Sequence, residues 1–158
     1  MKTQFSRRLR VFPVFLTTAF CLVACRSPTH SLYQDIHAAA RAGDLDSVAA
    51  DLEQRPDELE LPDDAGFTPL HLAAAYCQTN VVALLLRKGA RPDVRANDGA
   101  TPLQEAAQQG CAAGVALLLE NGATVNLRNS RGKTALGCAE AFKQDAIVQL
   151  LRQHGGAE

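Results

Sequence analysis

A chain of 158 residues in which 21% are charged, 5% are aromatic and none is Trp has room for one domain. Its formal charge of −1 gives no basic excess of the kind that gathers nucleic acid, which argues against that class of partner.

Lys2, Arg7, Arg8 and Arg10 open the chain, and Val11 to Ala24 follows as an apolar run broken only by two threonines and Pro13. Fourteen residues rising about 1.5 Å each are too few to cross about 30 Å of hydrocarbon, so residues 1–24 read as a secretion signal. Leu22-Val23-Ala24-Cys25 resembles the lipobox of bacterial lipoproteins. That resemblance implies cleavage before Cys25, acylation of its thiol and amine, and stable anchoring by several chains, with Arg26 rather than Asp next to it pointing to the outer membrane. The alternative is an ordinary secretory signal cut near Ala24, which would leave a soluble protein. Either cut removes four positive charges and no acidic ones, taking the formal charge from −1 to −5. Residues 25–32, with Pro28, make a short polar tether.

Residues 33–158 are expected to form one domain of four units, over 33–62, 63–95, 96–128 and 129–158. The first is worn. Ile36, Ala38, Ala39 and Ala40 precede Gly43, and Leu45, Val48 and Leu52 line a second helix, but Asp51 stands where later units have Leu. A charge there is expected to face water from a terminal cap. Asp51, Glu53, Asp57, Glu58, Glu60, Asp63 and Asp64 make this end acidic, without the regular oxygen-ligand loop that a calcium site needs.

The remaining units repeat openly. Thr68-Pro69-Leu70-His71-Leu72-Ala73 returns as Thr101-Pro102-Leu103-Gln104-Glu105-Ala106 and more loosely as Thr134-Ala135-Leu136-Gly137-Cys138-Ala139, at intervals of 33 residues. Gly66, Gly99 and Gly132 keep the same step, as do Gly89, Gly122 and Gly155. Such a period marks an array of stacked units. Thr68 and Thr101 are suited to cap a helix, with Pro69 and Pro102 at the first helical position, where a missing amide hydrogen costs nothing. Val81, Val82, Leu84, Leu85 and Leu86 fall at helical spacing before Gly89, and Val115, Leu117, Leu118 and Leu119 do so before Gly122. Ala90 to Asp98 and Ala123 to Arg131 read as loops or short hairpins. In the last unit Arg152 and Gln149 replace a Leu and an Ala, as a closing cap would. One helix pair cannot bury its own apolar face, so the units must stack, and replacing an interior residue such as Leu118 by Ala should cost roughly 2–5 kcal/mol.

The Thr-Pro-Leu-His-Leu-Ala motif, the leucine triplet and the Gly-Ala that follows resemble the ankyrin repeat. The resemblance implies an all-α solenoid of about four helix-turn-helix units joined by hairpin-like loops. It also implies a non-catalytic domain whose partner is another protein. His71 stands at the family's histidine, whose implied role is to hold the loop by hydrogen bonds.

Candidate chemistry is sparse. Cys77 and Cys111 lie 34 residues apart, and equivalent atoms of stacked helices sit roughly 10 Å apart, beyond the 7 Å or so that a bridge tolerates. Free thiols are therefore expected ahead of a disulfide, with Cys138 as small packing. No paired-cysteine spacing, nucleophile elbow, phosphate-cradling loop or acid pair occurs, so no metal, cofactor, small-molecule substrate or catalysis is expected. His30, His37 and His154 fall in the tether and the caps.

The resemblance places partner binding on the loop tips and the outer face of the first helices. Here these carry Asp64 and Phe67, then Arg95, Asn97 and Asp98, then Arg128, Ser130, Arg131 and Lys133, with Tyr76, Gln108, Gln109 and Phe142 along the helices. The expected face is acidic near its first tip and basic near its last, with three aromatic residues available as anchors. The expected function is a scaffold, lipid-anchored in the bacterial envelope and facing the periplasm. The rival is a regulator or inhibitor of a periplasmic enzyme or toxin.

Overall fold

The computed structural model describes residues 35–157. The secretion signal, Cys25 and the tether lie outside them. Eight helices alternate along the chain: α1 (Ile36–Ala42), α2 (Leu45–Gln54), α3 (Pro69–Ala75), α4 (Thr79–Arg87), α5 (Pro102–Gln109), α6 (Ala112–Glu120), α7 (Ala135–Ala141) and α8 (Asp145–Gln153), with a 3-10 turn over Pro56–Glu60. No strand occurs among the described residues, and the tips are hairpin-like turns in which the N–H of Asp63, Ala96 and Asn129 donates to the carbonyl of Phe67, Ala100 and Lys133.

Five of these helices, α1, α2, α3, α5 and α7, start where a side chain replaces the missing backbone acceptor. Thr101 and Gln104 form a reciprocal capping box, Thr68 and His71 form another, and the Thr134 hydroxyl accepts from Gly137 N–H at 3.2 Å. Asp35 and Asp44 cap the first two helices in the same way.

The odd-numbered helices pack side by side in one layer, α1 on α3, α3 on α5 and α5 on α7, and the even-numbered ones in a second. Two registers explain the stacking. Ala40, Ala73, Ala106 and Ala139 recur 33 residues apart at 0% exposure, small enough for neighbouring helices to close together. Leu52, Leu85, Leu118 and Leu151, on the same step in the second layer, are 5, 0, 0 and 0% exposed and form the apolar spine. Leu84, Leu117 and Leu150 also correspond, but Leu117 and Leu150 are only partly buried against the core.

Polar ties repeat at the same interval. The side chains of Glu60, Asp93 and Asn126 accept from the backbone N–H of Arg91, Thr124 and Ala157, at 2.7, 2.8 and 2.8 Å. At the tips, Asn97 N–H donates to Ala65 O and Ser130 N–H to Asp98 O. Unpaired backbone groups at each seam are thereby matched by the next unit.

Two expectations are corrected. Asp51 does not face water. It is 9% exposed beneath the 3-10 turn, where Arg55, one helical turn on, approaches it at 3.4 Å and also pairs with Glu58. His37, expected as an unremarkable cap residue, fills the buried leucine slot of the first unit, 33 residues before Leu70. One of its ring nitrogens lies 2.6 Å from the Asp35 carboxylate and the other 2.8 Å from Leu61 O, which satisfies the polar ring in an apolar place.

The third correction concerns sulfur. Cys77 and Cys111 are bridged, with Cα atoms 5.5 Å apart. They are neighbours in register rather than equivalents. Cys77 holds the left-handed turn position after α3, at φ 57°, where other units have Gly43 and Gly110, and Cys111 is the N-terminal cap of α6. That one-residue offset turns the two side chains toward each other across the seam. The room comes from Gly114, at a place held by Val48, Val81 and Ile147 elsewhere, where an added Cβ would lie 3.1 Å from Cys111 Sγ. Cys138 is a free, buried thiol.

Candidate functional site

The first helices and the loop tips frame two recesses that share a wall. One, of about 290 Å³, is lined among others by Phe67, Asp98, Glu105, Arg131, Lys133 and Phe142. The other, of about 500 Å³, is lined by Arg41, Asp63, Phe67, Tyr76, Glu105 and Gln109 with the α3 side chains Leu72 and Ala75. Phe67 and Glu105 are the residues common to both.

Phe67 is placed by its own loop. The Asp63 carboxylate accepts from the N–H groups of Ala65 and Phe67, at 2.9 and 2.8 Å, and the ring then meets His71 edge-on at 5.5 Å. His71 is fully buried. Its Nδ1 accepts from Thr68 N–H at 3.1 Å and its Nε2–H donates to Ala100 O at 3.1 Å, which fixes the neutral tautomer and ties the tip of the third unit to the second. Burial pushes its pKa below the ordinary histidine value, against a smaller upward pull from the Ala100 carbonyl. Gln104 does the same work one unit on, donating from Nε2 to Leu127 O and Lys133 O at 2.7 and 3.0 Å.

The aromatic rim is open. Tyr76 and Phe142 are each 54% exposed, and the Arg41 guanidinium lies 5.5 Å from the centre of the tyrosine ring. Of the thirteen residues singled out from sequence, the smaller recess gathers Phe67, Asp98, Gln108, Arg131, Lys133 and Phe142, and the larger gathers Phe67, Tyr76 and Gln109. Asp64, Arg95, Asn97, Arg128 and Ser130 line neither. Asn97 and Ser130 are occupied: the amide of Asn97 donates to Asp64 O at 3.0 Å, and the Ser130 hydroxyl donates to Asp98 O. Arg128 donates to Gly132 O at 2.6 Å and sits with Glu140 on a shallow surface that adjoins the smaller recess at Lys133 and Ala141.

Sequence reading missed Glu105, Asp63 and Arg41 in this groove. Glu105 left a legible signal, because it interrupts a register that is otherwise apolar. Burial pushes its carboxyl above the ordinary range, Asp98 adds to that, and Arg131 opposes it. The Cys138 thiol, in the floor of the smaller recess, is likewise pushed up by burial, which leaves it a poor nucleophile. Among the described residues no group of His, Cys, Asp and Glu is placed to hold a metal ion, and no helix is long and apolar enough to cross a membrane.

The family description "Ankyrin repeats (3 copies)" matches residues 36–129 and, again, 88–158. The chain belongs to the ankyrin-repeat family. Ankyrin domains are protein–protein interaction modules and are generally non-catalytic. Among curated proteins, the chain is similar to the human DNA-binding protein RFXANK, 36% identical over 63 residues, which is 40% of this chain and 24% of that protein. It is also similar to a transient receptor potential cation channel subfamily A member 1 homolog of Caenorhabditis elegans, 35% identical over 74 residues, 47% of this chain and 6% of that one. A third relative, the 60 kDa lysophospholipase of Mus musculus, is 50% identical over 52 residues, 33% of this chain and 9% of the enzyme. The ankyrin domain here thus spans under a quarter of the length of each of these relatives.

Proposed function

We propose that this ankyrin domain is a scaffold that binds another protein through the groove between Tyr76 and Phe142, and that it does so in the bacterial envelope, held by lipid on Cys25. The observation that carries the binding reading is the pair of recesses meeting at Phe67, with two large aromatic side chains left half in water on the same side. Exposed aromatic residues around a concavity are the usual anchors of an interface. The compartment is supported by two independent features. Residues 1–25 have the pattern of a lipoprotein signal, and the Cys77–Cys111 bridge belongs to an oxidising environment.

A photo-crosslinking amino acid at Gln109, in intact cells, should trap one protein reproducibly. Replacing Tyr76 and Phe142 together by Ala should weaken that partner's binding to the purified chain by about tenfold or more with the thermal midpoint unmoved. Capture that survives the double replacement would place the site elsewhere. Cys25→Ala should shift the protein out of the membrane fraction; a variant that still pellets is held by something other than lipid. If the trapped protein is an enzyme whose activity the domain suppresses, the regulator reading replaces the scaffold.

A further inference from the structure

Resting on the groove reading above, we propose that Glu105 is the anchor of this surface, and that it receives the cationic side chain of an Arg or Lys projecting from the bound protein.

The argument begins with the repeat register. Ala39, Leu72, Glu105 and Cys138 occupy one place in four successive units. The other three are 0, 5 and 6% exposed, packed as the repeat demands. Only the third unit puts a carboxylate there, half-buried on the face of α5. A charge drawn out of water costs free energy unless a partner compensates it. The Glu105 carboxylate forms no hydrogen bond or ion pair within the described residues, whose ion pairs involve Asp35, Asp51, Glu58, Glu60 and Glu140 instead. Arg131 acts on it only through space, and Asp98 opposes that help. A side chain that breaks a local packing rule and gains nothing within its own fold marks a functional place.

Its position says what it serves. Glu105 stands in the shared wall of both recesses beside Phe67, so a side chain entering from the solvent meets a carboxylate and an aromatic ring together. The charges facing this point are mixed. Arg41 and Asp63 line the larger recess with Glu105, and Asp98, Arg131 and Lys133 line the smaller. Arg41 is already engaged over the Tyr76 ring. What the two recesses share is a carboxylate beside an aromatic ring, the complement of a guanidinium or ammonium group with its alkyl stem. A carboxylate held partly out of water gives a stronger charge-assisted bond than an exposed one.

The test uses the full chain and two small probes that differ in charge, acetyl-arginine amide and its neutral near-isostere acetyl-citrulline amide, followed by amide NMR shifts. The arginine probe should give saturable shifts over residues 104–109 and at Phe67, and the citrulline probe should bind at least about fivefold more weakly. Glu105→Gln should lose the same factor, as should Glu105→Leu, which copies the second unit and should not lower the thermal midpoint. Wild-type affinity should fall on acidification as Glu105 gains a proton, beginning above the pH expected of an exposed glutamate. Equal binding of the two probes, absence of saturable shifts at these residues, or full binding by Glu105→Gln would overturn the proposal. Crosslinking from Gln109 that persists in Glu105→Gln would leave the groove as a protein site and remove only its anchor.

Discussion

The seam between the second and third units and the seam between the third and fourth have the same geometry but different chemistry. At the loop end, both are tied by the third residue of the first helix reaching a carbonyl 29 residues on, His71 to Ala100 in one and Gln104 to Lys133 in the other. At the turn end, the third-to-fourth seam is closed by Gln144, whose amide donates to Gln108 O at 3.3 Å over Gly110. The second-to-third seam puts Cys77 in the glycine place and Cys111 in the glutamine place and joins them covalently. The amides of Gln104 and Gln144 neither titrate nor undergo redox chemistry. The middle seam can do both, by protonation of His71 and reduction of the cystine. An ankyrin array couples only neighbours, so the chemistry of one seam sets the stability of everything joined across it.

The largest expected effect comes from breaking the covalent tie. Replacing Cys77 and Cys111 together by Ser should lower the unfolding free energy by about 4 kcal/mol, the loop-closure value for a bridge between residues 34 apart, read from urea denaturation. Dithiothreitol should produce the same loss in the wild type and none in the double variant. A smaller gain should follow from carrying the bridge to the next seam. Gly110→Cys with Gln144→Cys reproduces the register of Cys77 and Cys111, but Ile147 stands where Gly114 makes room, so the pair should oxidise less readily and stabilise by no more than about 2 kcal/mol. The yield is lower there because a non-glycine residue must then adopt the left-handed conformation that Gly110 now holds at φ 77°, and the Gln144 bond is lost. Two free thiols beyond Cys138 in the oxidised variant would show that the middle seam has a geometry of its own.

Breaking the glutamine tie alone, with Gln144→Ala, should cost only about 1 kcal/mol, the net worth of one hydrogen bond. A loss as large as that of the bridge would mean that the two seams are not comparable.

The contrast also shows what a sequence makes legible. The helices, their caps and the leucine spine follow from a 33-residue period, because periodic burial is written directly in residue types at fixed positions. The bridge was hidden by treating Cys77 and Cys111 as equivalent places, when one residue of offset moves Cys77 into the turn and Cys111 to the head of α6. Gly114 in a valine slot was the trace it left. Asp51 and His37 were obscured for the opposite reason. A charged or polar residue in a worn unit looks like exposure until its partner, Arg55 one turn on from Asp51 or Leu61 beyond the 3-10 turn from His37, accounts for its burial. Of the groove, Phe67, Tyr76 and Phe142 were readable as aromatic residues without a core role. Asn97 and Ser130 were not separable from them, since their side chains bond across a seam that the sequence does not display.

The smallest effect at neutral pH, and the finest test of the comparison, is His71→Gln, which gives the middle seam the loop-end chemistry of its neighbour. Gln104 shows that glutamine can accept from the capping threonine's N–H and donate to the next tip, so the variant should fold and lie within about 1 kcal/mol of the wild type at pH 7. On acidification the two should part. The buried ring of His71 is held neutral, with Nδ1 accepting from Thr68 N–H, and its native pKa is depressed, chiefly by burial. Its contribution is therefore complete above the unfolded value of about 6.5. As pH falls from there through the depressed native value, the unfolded chain binds a proton that the folded one lacks, and stability declines. His71→Gln should remove that part of the acid limb and leave the rest. Parallel unfolding curves for the two proteins at pH 7 and pH 5 would show that the acid sensitivity of the domain lies elsewhere.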